Sequence, residues 1–172
     1  NGRTPLYVAS YNGQFEVVKV LIASGALVDK ASNKIYTPLF IASEIGHSEI
    51  VRILIASGAL VDKADNNGRT PLFMASQEGH LEIVKALIAS GALIDKAENN
   101  GFTSLSVASS SGQFEVVKVL IASGALVDKA NNESRTPLHE ASLHGHFEVV
   151  KILIASGALV DKVDNDCYTP LF

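Results

Sequence analysis

The sequence predicts an all-α solenoid of stacked helix-turn-helix units with hairpin loops, and three observations carry that prediction. Thr-Pro-Leu recurs at Thr4, Thr37, Thr70, Thr136 and Thr169, with Thr103-Ser104-Leu105 as a variant, and every step is 33 residues. A fixed period of this length marks a stacked array. Each period then holds two apolar stretches with helical spacing, followed by a Ser-Gly-Ala-Leu segment that has none. In register the units are 1–31, 32–64, 65–97, 98–130 and 131–163, with a partial unit 164–172, read together as a single repeat domain spanning 1–172.

The unit 65–97 shows why each element forms. Thr70 suits a helix N-cap, and Pro71 suits the first turn, where its fixed φ is already helical and its missing N–H has no partner to lose. Leu72 and Ala75 point inward at i, i+3 spacing, and Gly79 ends the helix after about two turns. A second helix is expected from near His80 to Ser90. Its apolar stripe is Ile83, Val84, Leu87 and Ile88, its solvent side carries Glu82 and Lys85, and Gly91 closes it. From Ala92 to Phe102 the chain carries Asp95, Lys96, Asn99, Asn100 and Gly101 and reads as an extended loop or hairpin turn. Helices this short return few hydrogen bonds for a costly nucleus. Each stripe is stabilising only when the next unit covers it, which is the physical reason for an array.

Composition bounds the function classes. Of 172 residues, 47% are apolar and 19% charged, which excludes a disordered tail. The net charge of −4, with charges interleaved, lacks the basic footprint of a nucleic-acid binder. No stretch approaches a membrane span and no signal peptide opens the chain. The lone Cys167 excludes an internal disulfide framework, so a reducing, cytoplasmic setting is expected. The chain begins at Asn1 without Met and stops inside a Thr-Pro-Leu motif at Phe172, and neither end unit has the polar outer face of a capping repeat. It is therefore expected to be a piece of a longer array, monomeric apart from end-to-end packing, with frayed ends.

A unit reading Thr-Pro-Leu, Ala-Ser, Gly-His, Glu-(Val/Ile)-Val-Lys-x-Leu-Ile and Ser-Gly-Ala resembles the ankyrin repeat along essentially the whole chain. The resemblance implies helix-turn-helix units whose loop tips form β-hairpins, stacked into a curved solenoid that binds protein partners on its concave side, with no cofactor. Three columns depart from the family pattern. Where the family usually has His after Thr-Pro-Leu, the chain has Tyr7, Phe40, Phe73, Ser106 and Phe172, and only His139 conforms. Ala-Ser replaces Ala-Ala, as at Ala9 and Ser10, and Asp29, Asp62, Asp95, Asp128 and Asp161 replace the usual loop Asn.

Because stacking columns should stay uniform while columns free for a partner can vary, the chain supplies its own comparison. The second helix and the loop after it barely change between units. Variation concentrates in two places. The residue two before Pro runs Arg3, Tyr36, Arg69, Phe102, Arg135, Tyr168, and the last turn of the first helix runs Tyr11-Asn12, Glu44-Ile45, Gln77-Glu78, Ser110-Ser111, Leu143-His144. The resemblance implies that these columns line the partner-binding face, and Arg and aromatic residues are enriched at interface hot spots. The alternative is that they are exposed and unselected, with the Arg and aromatic side chains stacking on neighbouring tips. The same chain would then be a structural or elastic spacer without a dedicated partner.

Leu27, Leu60, Leu93, Leu126 and Leu159 form a further ladder in the loops, expected to cover the helix ends rather than to leave an apolar ridge. His139-Glu140 with His144 and His146 is the one arrangement with a metal-site flavour. The zinc-protease pattern needs two His four apart, whereas His139 and His144 are five apart, and His146 sits in a column also filled by Gln14, His47, His80 and Gln113. No metal site, cofactor or catalytic constellation is expected, since no carboxylate pair, nucleophile elbow or phosphate loop stands apart from the repeated columns. Glu16, Glu49, Glu82, Glu115 and Glu148, beside Lys19, Arg52, Lys85, Lys118 and Lys151, read as a solvated charged face.

Overall fold

Every described Thr of the Thr-x-Leu motif at a helix start does what its position requires. The Thr4, Thr37, Thr70, Thr103 and Thr136 hydroxyls accept from the backbone N–H three residues on, at 3.1, 3.0, 3.1, 3.2 and 3.5 Å. In the computed structural model, which describes residues 2–33 and 35–170, these caps open the first helix of each repeat. Those helices are α1 (Pro5–Tyr11), α3 (Pro38–Ile45), α5 (Pro71–Gln77), α7 (Ser104–Ser110) and α9 (Pro137–Leu143). The second helices are α2 (Phe15–Ala23), α4 (Ser48–Ala56), α6 (Leu81–Ala89), α8 (Phe114–Ala122) and α10 (Phe147–Ala155). The fold is all-helical, a series of helix-turn-helix repeats, and no strand occurs among the described residues. The expectation placed on Phe172 lies outside them.

The chain divides into two compact units, residues 1–75 with 82–93 and residues 76–81 with 94–172. In the first, α1 lies against α3 and α2 against α4. Its core is Leu6, Val18, Leu39, Phe40, Ile50, Val51, Leu54, Leu72, Ile83, Val84 and Leu87. In the second, α7 lies against α9 and α8 against α10, burying Leu105, Val116, Val117, Leu120, Leu138, Val149 and Leu153. Each such side chain contributes roughly 1.5–3 kcal/mol, an amount a two-turn helix cannot gain by itself. Ile88, expected in the stripe of α6, is only half-buried, at the edge of a stripe that the fully buried Ile83, Val84 and Leu87 define.

The departures from the family pattern acquire physical reasons. Tyr7, Phe40 and Phe73 are buried and fill the core, whereas Ser106 and His139 close capping boxes. The Thr103 N–H donates to Ser106 Oγ at 2.6 Å and the Thr136 N–H to His139 Nδ1 at 3.1 Å. With Nδ1 accepting, Nε2 carries the proton and donates to the Tyr168 carbonyl at 3.3 Å. The loop aspartates bridge consecutive repeats: Asp29, Asp62, Asp95 and Asp128 accept the backbone N–H of Leu60, Leu93, Leu126 and Leu159, each at 3.1 Å. A carboxylate makes this charge-assisted bond more strongly than an amide oxygen would.

Those bonds hold the leucine backbones, but not their side chains. Leu27, Leu60, Leu93, Leu126 and Leu159 are between 57% and 72% exposed, which corrects the expectation that they cover the helix ends. The period places them on the solvent side of a loop whose inward-facing member is the neighbouring Ala: Ala59, Ala92, Ala125 and Ala158 are buried. The tips are tight turns rather than strand ladders. The Asp65 N–H bonds the Arg69 carbonyl at 3.0 Å and the Gly68 N–H returns to the Asp65 carbonyl at 3.1 Å. Gly101 fills the left-handed position of its turn with φ +87°, and a Cβ there would meet the Asn132 backbone nitrogen at 2.8 Å.

Candidate protein-interaction surface

The two variable columns separate once their side chains are placed. In the first compact unit the hairpin-tip residues are turned onto the chain itself. Arg69 donates to Asp65 Oδ2 from Nε at 2.9 Å and from Nη2 at 2.7 Å, and its Nη2 also lies 3.4 Å from the Tyr36 hydroxyl. The Tyr36 ring stacks on Phe40 at 4.9 Å, and the Arg3 guanidinium sits 5.5 Å above the Tyr7 ring. Burial opposes the charge on Arg69, but the bonds from the Asp65 carboxylate outweigh it and hold the guanidinium's pKa above its ordinary value.

Residues at the end of the first helix behave differently. Tyr11 is 45% exposed and Ile45 43%, Asn12 is exposed, and Glu44 is half-buried. The turn that positions Tyr11 is fastened from the next repeat: His47 Nε2 bonds the Tyr11 carbonyl at 3.1 Å. The side chains of Tyr11 and Ile45 are thus presented from a held backbone.

The second unit repeats this division. Arg135 pairs with Glu133 through Nη1 at 3.0 Å and with Asp164 through Nε at 3.2 Å, while Phe102 is half-buried. Although burial pushes the Asp164 carboxyl upward, the N–H groups of Tyr168 and Asp166 and the Arg135 side chain bring it below its usual value. At the helix ends, Leu143 is 66% exposed, and Glu78, Ser111 and His144 are exposed. Gln77 and Ser110 are half-buried; Gln77 Nε2 donates to Glu78 Oε1 at 3.2 Å. Gln113 Nε2 donates to the Gln77 carbonyl at 3.1 Å and His146 Nε2 bonds the Ser110 carbonyl at 2.9 Å, the same fastening that His47 makes in the first unit.

Sequence reasoning missed this fastening column as a structural device, although its signal was present: the column holds only Gln or His, side chains that can reach and donate to a carbonyl. It weighed Glu140 only beside His139 as part of a metal arrangement and missed that it is a buried acidic residue in a column that is apolar elsewhere. His139, His144 and His146 each bond a backbone group. Among the described residues, no three His, Cys, Asp or Glu side chains come together as a metal-ion set. What each compact unit offers chemically is a set of exposed apolar and polar side chains on helix ends fastened by hydrogen bonds. No helix among the described residues is long and apolar enough to cross a membrane.

Comparison with known families matches this chain to a model described as ankyrin repeats (3 copies) over residues 26–98, 57–131 and 93–166, and to a single-repeat model over residues 1–33. No curated protein matches the sequence.

Proposed function

The chain belongs to the ankyrin repeat family, whose members are in general protein–protein interaction modules, and on that premise we propose that it is a recognition module with no catalytic role. The contact surface in this reading is the ends of the first helices: Tyr11, Asn12, Glu44 and Ile45 in one compact unit, and Gln77, Glu78, Ser110, Ser111, Leu143 and His144 in the other. The observation that carries it is the exposure of Tyr11, Ile45 and Leu143 at the most variable positions of an otherwise near-constant repeat. Large apolar groups held in solvent on a rigid backbone are what a partner's pocket can bury without an ordering cost. Arg3, Tyr36 and Arg69 in the first unit, and Phe102 and Arg135 in the second, play a supporting part in this reading, since their side chains are occupied or half-buried. The partner is a protein, the location is the cytoplasm, and the domain acts as a monomer.

Photo-cross-linkers at the exposed neighbouring positions 12 and 144 test this reading. Each should capture a defined protein from the native cell, and replacing Tyr11, Ile45 and Leu143 with Ser should abolish capture while circular dichroism and melting stay unchanged. Leu60→Ser, at an exposed loop residue, should leave capture intact. A second reading, a spacer within a longer array, is favoured by the engagement of Arg69 and Arg135 with their own tips. It requires that the triple variant behave as the wild type.

A further inference from the structure

Position 140 breaks its column. The corresponding residues of the other repeats are Val8, Ile41, Met74 and Val107, all apolar, whereas position 140 holds a glutamate that is only 4% exposed. Its Oε1 has no hydrogen-bond partner. It sits on α9, the helix that lies against α7 in the second compact unit, and α9 also carries the exposed Leu143. A bare oxygen is tolerable on a neutral acid and costly on a carboxylate removed from water.

The charges around it do not compensate. Helix α7 (sequence SLSVASS) contributes no ionisable side chain, only the Ser110 hydroxyl, which lies 3.4 Å from His144 Nδ1 and exerts a lowering pull on the carboxyl's pKa. Helix α9 contributes His139, occupied by Thr136 and Tyr168, and just beyond its end lies the exposed His144. The adjoining tip contributes Glu133 and Arg135, and Arg135 is already shared between Glu133 and Asp164. On α10, Glu148 and Lys151 pair with each other at 3.3 Å in solvent. In the last turn Asp164 and Tyr168 are bonded to each other through the Tyr168 N–H and the Asp164 Oδ1 at 3.0 Å.

We propose that Glu140 is a proton-controlled latch: its carboxyl is protonated in the packed repeat, and its ionisation loosens α9 from α7 and with it the presentation of Leu143 and His144. Burial is the main influence on this group and raises its pKa, against the pull of Arg135 and His144 in the other direction. The sign follows from linkage. A group with a raised folded pKa contributes stability that is complete below its unfolded value and is lost as pH rises through the folded value. The local structure is therefore tighter below the ordinary glutamate range and looser above the raised folded value.

Two measurements on the whole chain test it. Carbon-detected NMR of the Glu140 carboxyl should give a titration midpoint above the ordinary glutamate value of about 4.3. Amide exchange of 137–143 should be compared with that of 38–45 in the same molecule, where Ile41 occupies the corresponding position. The ratio of the two opening constants should rise with pH between the ordinary glutamate value of about 4.3 and the folded midpoint, by at most about tenfold per unit, level off above that midpoint, and stay flat in Glu140→Gln. A midpoint at or below about 4.3 overturns the proposal, as does a ratio that runs parallel in the wild type and the variant. Should Glu140→Gln not fold, the wild-type titration alone decides.

Discussion

Arg69 closes the tip of its own repeat by reaching back four residues to Asp65, with Nη2 at 2.7 Å and Nε at 2.9 Å from Oδ2, while Oδ1 accepts the N–H of Asn67 and of Arg69, each at 2.9 Å. The Asp65 side chain is almost wholly buried, so it acts as the hub of the turn. Asp65→Ala leaves two backbone N–H groups and a guanidinium without their acceptor and should cost about 2–3 kcal/mol, read by urea unfolding. Arg69→Ala, whose site is open to water on one side, should cost less. Equal costs would mean that the ion pair, rather than the turn bonds, organises the tip.

Asn131 occupies the same position in the fifth repeat and does half the work. Its Oδ1 accepts the N–H of Glu133 and Arg135, at 2.9 and 3.0 Å, but its Nδ2 is buried without a partner. Asn131→Asp removes that orphan and offers Arg135 a carboxylate, so the variant should be more stable by about 1 kcal/mol at neutral pH. A lower melting temperature would contradict this account.

Ile35 has φ +62° at the turn position where Gly2, Gly68 and Gly101 also have positive φ. A β-branched side chain in the left-handed region is strained by about 1–2 kcal/mol. Ile35→Gly should raise stability by about 1 kcal/mol after the entropy cost of glycine is deducted, a gain that thermal melts can resolve. Gly101→Ala should do the opposite, because the strain there is joined by the close approach of Asn132.

The exposed leucines give a cleaner test of which part of the loop matters. Leu93→Ser, which removes a side chain lying mostly in solvent, should change stability by less than about 0.5 kcal/mol. Asp62→Ala deletes the acceptor of the Leu93 N–H and should cost about 1 kcal/mol, by chemical denaturation. If the serine variant is the more damaging, the ladder packs where the structure leaves it open.

The last turn should open in acid. The Asp164 pKa lies below its ordinary value, so the group contributes stability above its unfolded pKa of about 3.9 that is lost as pH falls through the folded value. Exchange of the Tyr168 amide, which donates to Asp164, should accelerate on acidification below about pH 4 relative to its intrinsic rate, and should lose that dependence in Asp164→Asn.

The period of 33, the Thr caps, the glycine stops and the inward Leu and Val positions are local or periodic features, and for that reason the all-helical repeat was legible in the amino-acid string alone. The sequence set Ser106 apart as a departure and His139 as the one conforming residue of that column without saying what either does, because a capping box needs a side chain and a backbone N–H brought together by the turn itself. Tertiary structure decided the rest. Only the packing of one repeat on the next shows that Asp62 holds Leu93 and that His47 fastens Tyr11, and only the folded tip shows that Arg69 is spent on Asp65 while Ile45 stays open. The reason is physical: periodicity states which face of a helix is apolar, but burial and hydrogen-bond partners across 31 to 36 residues depend on the neighbour that the fold supplies. Variation between copies marked both columns as candidates. Geometry separated the column that closes the tips from the one that faces solvent.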